Sequence, residues 1–238
     1  MLPKVIHLCW FGESKFPVEI KMCLNSWKRV LPDYEVKLWA MKDARAIPIP
    51  FLQQALDARA WAFAADVVRF YAVWKEGGVY MDSDIFLRRR FDNFIPEKGE
   101  FVTFNEKIHA DETDFGLQAA FFMAAPGNEF CRTVLDYYRS SQFINPDGTA
   151  NKYISPKVMR DKALLLGYRQ ADEKQVLEGL TVYPTRYLRP ANTYRDDADA
   201  FGEHRIYGSW RKRKLGRRVE LRLKHWMTAV CYYLRLTH

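Results

Sequence analysis

The segment from Phe51 to Asp84 constrains the fold of this chain more than any other. Apolar residues at helical spacing run as far as Glu76, and two glycines, Gly77 and Gly78, follow directly. Glycine is favoured just past the C-terminus of a helix, because it adopts a left-handed conformation without a steric penalty. The next three residues, Val79–Met81, are apolar and predict a short buried strand. The segment is therefore predicted to be a helix, or two helices, leading into the centre of a sheet.

The predicted strand runs straight into two aspartates, Asp82 and Asp84. In an extended chain, residues two apart point to the same side, so both carboxylates would be presented together. Ligands of open α/β sheets bind where strands end. Carboxylate oxygens suit Mg²⁺ or Mn²⁺, which proteins often hold together with substrate phosphates. A divalent metal site is therefore predicted here, and the alternative is a solvated turn.

A pair of opposite charges, Asp66 and Arg69, lies on the helix before this strand. The two residues are one turn apart and share a helix face. Because the residues around them are almost all apolar, we expect both charges to be at least partly buried. Buried charges need partners, which sugar hydroxyls can supply. The alternative is a surface ion pair of little energetic weight.

The rest of the chain predicts an α/β domain. Strands are expected at Lys4–Cys9 and Tyr34–Trp39 with a helix between them, which is the usual start of a mostly parallel sheet. Leu117–Ala124 is predicted as a further strand, and Arg186–Gly202 as a loop. We find no internal repeat and no flexible linker, so we predict one domain over residues 1–210.

The excess of positive charge lies in residues 211–238. Of 37 Lys and Arg and 29 Asp and Glu in the chain, this tail holds nine and one, so residues 1–210 are neutral. The tail is predicted to form a basic amphipathic helix that docks on an anionic membrane surface. The alternatives are that its apolar side packs on the body or on a second subunit. No apolar stretch is long enough to span a bilayer, and a nucleic-acid role is disfavoured because the basic residues are confined to the tail.

The four cysteines show no paired spacing, and no secretory signal precedes them. We therefore expect a reduced, cytoplasmic setting. The histidines do not follow the spacing of zinc hydrolases, so that class is not expected.

Jointly, these motifs resemble the small DXD sugar-transferring glycosyltransferases (glycosyltransferase family 32). These are relatives of the yeast initiating α-1,6-mannosyltransferase and, more distantly, of the clostridial glucosylating toxins. The resemblance covers roughly residues 2–210 and is carried by Pro3–Gly12, Ala65–Phe70, Gly77–Asp84, Tyr183-Pro184 and His204 with Gly208–Trp210.

The resemblance implies a GT-A (Rossmann-like) fold, a nucleotide-sugar donor, a divalent metal, usually Mn²⁺, and retention at the anomeric carbon. Carried over to this chain, it assigns Trp10 to the donor base and Asp66 and Arg69 to the donor sugar. It assigns Asp82 to ribose or sugar and to metal-bound water, and Asp84 to the metal.

The remaining expected donor contacts are His7, Ser83, Ser209 and Trp210, the last two at the diphosphate. His204 is expected either as a second protein ligand of the metal or as a contact of the diphosphate. Asp66, Arg69, Asp82 and Asp84 form the predicted catalytic set.

The acceptor is expected at the polar stretch Asn105–Gly116, which follows a predicted strand. Asp114 and Gln118 are the candidate acceptor residues, and the alternative is a solvated loop. The expected reaction is transfer of a hexose, from a UDP-sugar rather than GDP-mannose, to a glycan or lipid-linked acceptor. Capsule or lipopolysaccharide assembly at the inner face of the cytoplasmic membrane is the expected setting.

Two other functions stay open at this point. A metal-dependent nucleotide-sugar phosphohydrolase would also use paired aspartates, but it would need no acceptor and no Trp10. A non-catalytic peripheral membrane or nucleic-acid-binding module would depend on the tail alone.

Overall fold

The computed structural model of the protein describes residues 2–12, 15–107, 115–190 and 199–205, together with six isolated positions between 216 and 230. In these ranges a mixed sheet has helices packed on one face, and one helix with a smaller second sheet on the other. The predicted α/β class is confirmed.

The first half of the chain alternates strands and helices. Its elements are β1 (Val5–Cys9), α1 (Val18–Val30), β2 (Glu35–Trp39), α2 (Met41–Arg45), α3 (Pro50–Asp57), α4 (Trp61–Glu76) and β3 (Gly78–Met81). Helices α3 and α4 are separate, because Arg59, at a φ of 54°, and its neighbours break the helical path.

The two glycines between α4 and β3 are required by the backbone. Gly77 ends α4 at a φ of 67°, and Gly78 follows at a φ of 98°. A Cβ atom on Gly78 would lie 2.6 Å from the carbonyl oxygen of Val5 in the neighbouring strand. Glycine at this position therefore allows β3 to approach β1 closely.

The second half holds the remaining strands and two helices. They are β4 (Ile85–Leu87), β5 (Phe101–Lys107), β6 (Phe115–Leu117), β7 (Phe121–Ala124), α5 (Glu129–Ser140), α6 (Ser155–Leu164), β8 (Gln175–Leu177), β9 (Leu180–Tyr183), β10 (Leu188–Pro190) and β11 (Gly202–His204).

The main sheet has the strand order β2-β1-β3-β7-β5-β9-β8, with β6 paired to β5. The pairs β1–β2, β1–β3 and β5–β9 are parallel, whereas β7 runs antiparallel to both β3 and β5. Strands β1, β3, β5 and β9 therefore share one direction, and their carboxyl ends meet at one edge. The sheet is mixed rather than mostly parallel, because β6 and β7 pair antiparallel with β5, and β8 pairs antiparallel with β9.

The predicted single strand Leu117–Ala124 is two strands. Both strands run antiparallel to β5 and so share one direction, and residues 118–120 form an irregular segment between them in which the Gln118 amide side chain accepts a hydrogen bond from the backbone N–H of Ala120. The Gln118 backbone N–H in turn donates to the carbonyl oxygen of Phe104. A glutamine among apolar residues does not mark an interruption, so the pattern alone predicts a continuous strand.

The predicted loop Arg186–Gly202 contains strand β10 and leads into β11. These two strands pair in parallel, and β11 pairs antiparallel with β4, which completes the second sheet. Both strands have only three residues, too few to show alternation in the sequence.

Most of the predicted tail, 211–238, lies outside the described residues. The six described positions in it are helical, and the division into a domain at 1–210 and a tail at 211–238 stays a prediction. Among the residues that the structure describes, no helix has both the length and the apolar composition needed to cross a bilayer.

Candidate active site

Asp82, Ser83 and Asp84 occupy the turn between β3 and β4, at the carboxyl edge of the main sheet. The backbone N–H of Asp82 donates to the carbonyl oxygen of Ala120 (2.8 Å), and the N–H of Ile85 donates back to the carbonyl oxygen of Asp82 (3.0 Å). The turn is thus fixed by main-chain hydrogen bonds. The predicted position of the aspartate pair, at the end of a buried strand, is confirmed.

His204 lies beside this turn. The antiparallel pairing of β11 with β4 places His204 opposite Ile85, the residue after Asp84. Ligating atoms of Asp82, Asp84 and His204 all lie within 4.8 Å of one another, and His204 Nε2 is 3.4 Å from Asp84 Oδ1. Burial disfavours the charged imidazole, but neighbouring Asp84 outweighs it and raises the pKa of His204 to about 9.

The three side chains fit a divalent metal. Two carboxylates and one imidazole offer hard oxygen ligands and a nitrogen ligand, a set that suits Mn²⁺ and leaves coordination positions for phosphate and water. The three groups face one small volume, and the negative charges of the two aspartates contribute to the raised pKa of His204.

Arg69 is the central cation of the site. It is 6% exposed, and its guanidinium lies 3.1 Å from Asp66 Oδ1 and 3.6 Å from Asp82 Oδ1. Its Nη1 donates to the carbonyl oxygen of Ala119 at 2.7 Å, and its plane lies over the ring of Tyr80. These contacts hold the guanidinium rigidly, so its positive charge is fixed in place rather than mobile.

Asp66 is buried beside Arg69, as predicted, at 7% exposure. Burial raises the pKa of Asp66, while Arg69 and a hydrogen bond from Ser155 oppose that rise. Ser155 Oγ donates to Asp66 Oδ1 at 2.6 Å from the first residue of α6. No pattern in the sequence marks Ser155 as part of the site, because a serine followed by proline at a helix start is typical of a cap and not of a partner 89 residues away.

Tyr80 is a second residue that the sequence did not reveal. Its hydroxyl donates to Asp82 Oδ1 at 2.6 Å, although the ring is buried within β3. In a predicted buried strand, a tyrosine is expected as core. Here the hydroxyl end of the side chain reaches the polar edge of the sheet and orients Asp82.

The histidine predicted to contact the donor, His7, has a different role. Trp39 Nε1 donates to His7 Nδ1 (3.1 Å), which leaves the proton on Nε2, and Nε2 then donates to the carbonyl oxygen of Gly77 (2.8 Å). The ring is completely buried, and burial lowers its pKa. Both nitrogens are used within the protein, so His7 joins β1 to β2 and to the Gly77 turn and offers no atom to a donor.

Other predicted residues take varied positions. Trp10 follows β1 at the carboxyl edge and packs against Phe16, with 5.0 Å between ring centroids. Ser83 lies between the two aspartates. Gln118 is buried in the irregular segment between β6 and β7, which also carries the carbonyl partners of Arg69 and Asp82. Asp114, Ser209 and Trp210 lie outside the described residues.

One further carboxylate, Glu106, faces this site. It stands near the end of β5, and burial raises its pKa to about 7. The charges that act on it are those of His204, Asp82, Arg69 and Asp66. In the sequence, Glu106 appeared only as one polar residue of the stretch Asn105–Gly116.

Two solved structures share this architecture closely enough to define the fold. The PaToxG glycosyltransferase aligns with a TM-score of 0.51 and 18% identity over 69% of each chain. The apo form of the glycosyltransferase GlyE of Streptococcus pneumoniae aligns with a TM-score of 0.50 and 12% identity, covering all of this chain and 64% of that one. The fold is that of the GT-A class, as the sequence motifs predicted.

Residues 17–100 match the family model described as the glycosyltransferase sugar-binding region containing a DXD motif. The chain is 32% identical over 98 residues to inositol phosphoceramide mannosyltransferase 3 of Schizosaccharomyces pombe, which covers 40% of this chain and 27% of that protein. It is 20% identical over 224 residues to an uncharacterized glycosyltransferase of Acanthamoeba polyphaga mimivirus, covering 88% and 84% respectively.

The resemblance predicted from the sequence motifs is confirmed, because residues 17–100 match this DXD-containing sugar-binding region. The chain spans about a quarter of the length of the yeast mannosyltransferase that it matches.

Proposed function

We propose that this protein is a metal-dependent, retaining glycosyltransferase that moves a hexose from a nucleotide-sugar to a glycan or lipid-linked acceptor. The observation that carries the proposal is the meeting of Asp82, Asp84 and His204 beside the fixed cation Arg69. A nucleoside diphosphate is a dianionic leaving group, and a site that concentrates positive charge next to paired metal ligands suits its departure.

Asp82, Asp84 and His204 would hold the metal, Mn²⁺ or Mg²⁺. When bound, such an ion neutralises the diphosphate and acts as a Lewis acid towards it. His204 binds a metal only as neutral imidazole. Tyr80 holds Asp82 in the required orientation through its hydroxyl.

Arg69 and Asp66 would hold the donor sugar. Arg69 supplies a preorganised positive charge, and charge fixed before the reaction is usually the largest catalytic contribution. Asp66 accepts hydrogen bonds from Ser155 and faces Arg69, so its carboxylate is oriented from two sides. Trp10 at the end of β1 is proposed to stack on the donor base, and Ser83, Ser209 and Trp210 to contact the donor diphosphate.

No residue is proposed as a covalent nucleophile. Retention is proposed with the departing phosphate as acceptor of the hydroxyl proton, so Asp66 is a binding residue. The anomeric configuration of the product, read from its one-bond and vicinal NMR couplings, tests retention. A product of inverted configuration would overturn that part.

The donor class is tested by thermal stability against UDP-, GDP-, CMP- and dTDP-sugars, each with Mn²⁺ and with EDTA. A ligand at a hundred times its Kd adds about 2.7 kcal/mol, or roughly 5–11 °C for a domain of this size. We expect a UDP-sugar to give a shift in Tm that requires Mn²⁺.

The Asp84→Ala variant should lose this shift. The control variant Asp57→Ala should keep it, because Asp57 is an exposed aspartate that pairs with Arg45 on the surface. An Asp84→Ala protein with the full shift, or full transfer activity, would overturn the metal role.

The same assay mixture separates transfer from phosphohydrolysis. A transferase releases nucleoside diphosphate faster when an acceptor is added, whereas a phosphohydrolase cleaves the donor at an unchanged rate. Equal rates with and without every acceptor tested would favour the hydrolase.

We further propose that the chain docks on the cytoplasmic face of a membrane through its tail, where capsule or lipopolysaccharide acceptors are assembled. Four described tail positions, Leu223, Trp226, Met227 and Val230, are helical, apolar and exposed. Their spacing places them on one face of a helix, and the surrounding sequence is strongly basic. The free thiols of Cys9, Cys23 and Cys131 suit a reducing compartment.

Vesicle sedimentation tests the docking. The protein should pellet with vesicles of phosphatidylglycerol and phosphatidylcholine and stay in solution with phosphatidylcholine alone. The double variant Leu223→Ser/Trp226→Ser should lose the binding, and Leu165→Ser, an equally exposed leucine after α6, should not. Equal binding of the two variants would refute the role of the tail.

A further inference from the structure

Glu106 lies on the face of the main sheet that the second sheet covers. Side chains of successive strand residues alternate between faces, so Glu106 shares a face with Phe104. The ring of Phe104 packs against Phe201, with 5.3 Å between centroids, and Phe201 directly precedes β11. The second sheet therefore covers the end of β5, and Glu106 points to the side on which His204 lies.

The electrostatic surroundings of Glu106 are those of the site itself. Burial is the largest influence on its carboxyl group, and the charged groups that act on it are His204, Asp82, Arg69 and Asp66. Those aspartates are held by hydrogen bonds or ion pairs. The carboxylate of Glu106 makes no hydrogen bond or ion pair with any residue in the described part of the chain. Its oxygens are therefore available to a ligand within the site.

The position of Glu106 separates it from the metal and from the donor-sugar residues. It is not among the described ligand atoms that cluster within 4.8 Å, which belong to Asp82, Asp84 and His204. It stands at the start of the connection from β5 to β6, the stretch from which the sequence predicts acceptor binding. Glu106 is thus a polar group of the site that is distinct from the metal ligands and from the Asp66–Arg69 pair.

We propose that Glu106 binds the reacting hydroxyl group of the acceptor, and that the acceptor sugar at this point is neutral rather than acidic. This inference rests on the proposed function. A carboxylate accepts hydrogen bonds and donates none, so its natural partner is a hydroxyl. A uronic acid or phosphate placed there would meet Glu106, Asp82 and the donor diphosphate, and like charges in a partly buried site repel strongly.

Binding by Glu106 would orient the hydroxyl oxygen towards the anomeric carbon. Correct orientation of a bound nucleophile accounts for a large part of many rate enhancements. Glu106 is assigned this positioning of the substrate and no covalent step.

The test compares wild type with Glu106→Ala and Glu106→Gln, and uses Glu97→Gln as the matched control. Glu97 is exposed before the opposite end of β5. The donor is the nucleotide-sugar that stabilises the wild type most, with Mn²⁺. The acceptor probes are octyl glucoside, octyl galactoside, octyl mannoside and octyl glucuronide. Transfer kinetics and the donor-induced thermal shift are measured for each protein.

We expect Glu106→Ala to lower kcat/KM for the best neutral octyl glycoside by about 10- to 100-fold, the loss of one hydrogen bond to a charged group. Glu106→Gln should fall between Ala and wild type, because its amide oxygen still accepts a hydrogen bond. The donor-induced thermal shift should be unchanged in both variants, and Glu97→Gln should match wild type. A misfolded variant would lose the donor shift as well, so retention of that shift separates substrate positioning from a structural role.

Three results would overturn the inference. Transfer within twofold of wild type in Glu106→Ala would remove the role of the carboxylate. Loss of the donor shift in Glu106→Gln would assign Glu106 to the donor or metal instead. A wild type that binds its donor but uses none of the neutral probes would refute the neutral acceptor. If wild type binds no nucleotide-sugar at all, the proposed function fails, and the inference fails with it.

Discussion

The ion pair between Arg69 and Asp66 allows a quantitative test of the buried site. Replacing Arg69 by methionine keeps the length and apolar stem of the side chain but removes its charge. Asp66 would lose a partner at 3.1 Å, and the carbonyl oxygen of Ala119 would lose a hydrogen bond of 2.7 Å. Asp82, at 3.6 Å, would lose a favourable charge as well. Removing one member of a buried pair typically costs about 3–5 kcal/mol, because the other charge stays buried without compensation.

For a domain of this length, about 3–5 kcal/mol lowers Tm by roughly 6–20 °C. The matched experiment adds Asp66→Asn and the double variant Arg69→Met/Asp66→Asn, each unfolded in urea and followed by circular dichroism. The double variant should be more stable than the sum of the two single losses implies, by about 1–3 kcal/mol, since it no longer contains the uncompensated Asp66 charge. Strict additivity, or a loss below about 1 kcal/mol in Arg69→Met, would refute the argument that these charges stabilise each other.

Three further predictions concern the scaffold. Gly78→Ala should lower the free energy of unfolding by about 1–3 kcal/mol, because its φ of 98° is strained for alanine and the added Cβ would lie 2.6 Å from the Val5 carbonyl oxygen; an unchanged urea midpoint would contradict this. Burial raises the pKa of Cys23 to about 12 and that of Cys131 well above its usual range, so neither thiol should react with Ellman's reagent until the protein unfolds. Rapid native labelling of either, located by mass spectrometry, would be the opposite result. Burial lowers the pKa of His7 below 6.5 in the folded state, so the unfolded chain binds a proton that the folded chain does not. The free energy of unfolding should therefore fall below pH 6.5 more steeply in wild type than in His7→Gln, and parallel pH profiles would contradict that assignment.

The sequence revealed the part of the site that is encoded locally. The glycine pair, the apolar strand and the alternation of Asp82 and Asp84 are neighbours along the chain, so their geometry follows from backbone rules. The burial of Asp66 and Arg69 was predictable for the same reason, because their apolar neighbours lie on the same helix. The convergence of His204 with the aspartates was predicted from the family resemblance, and pairing between β11 and β4 is its physical cause.

What the sequence did not reveal depends on distant contacts. Ser155 reaches Asp66 across 89 residues, and no local pattern marks that pairing. The place of Glu106 in the site follows from the strand order, which sets β5 beside β7, and from the second sheet, which covers the end of β5. The role predicted for His7 is not the one it has, because a histidine in a strand that leads to a site is a reasonable ligand. Its partners Trp39 and Gly77, which use both ring nitrogens, come from elsewhere in the chain.

The irregular segment at residues 118–120, between β6 and β7, has a consequence for how this site tolerates change over evolution. The carbonyl oxygens of Ala119 and Ala120 fix Arg69 and the backbone of Asp82, while their own side chains are only methyl groups. The alignment of Arg69 and Asp82 therefore depends on the length and path of the main chain, and not on which side chains stand at positions 119 and 120. Exchange of either alanine for another small residue would leave the alignment intact. One inserted or deleted residue between β6 and β7 would displace the cation and the carboxylate together, although every named site residue was still present.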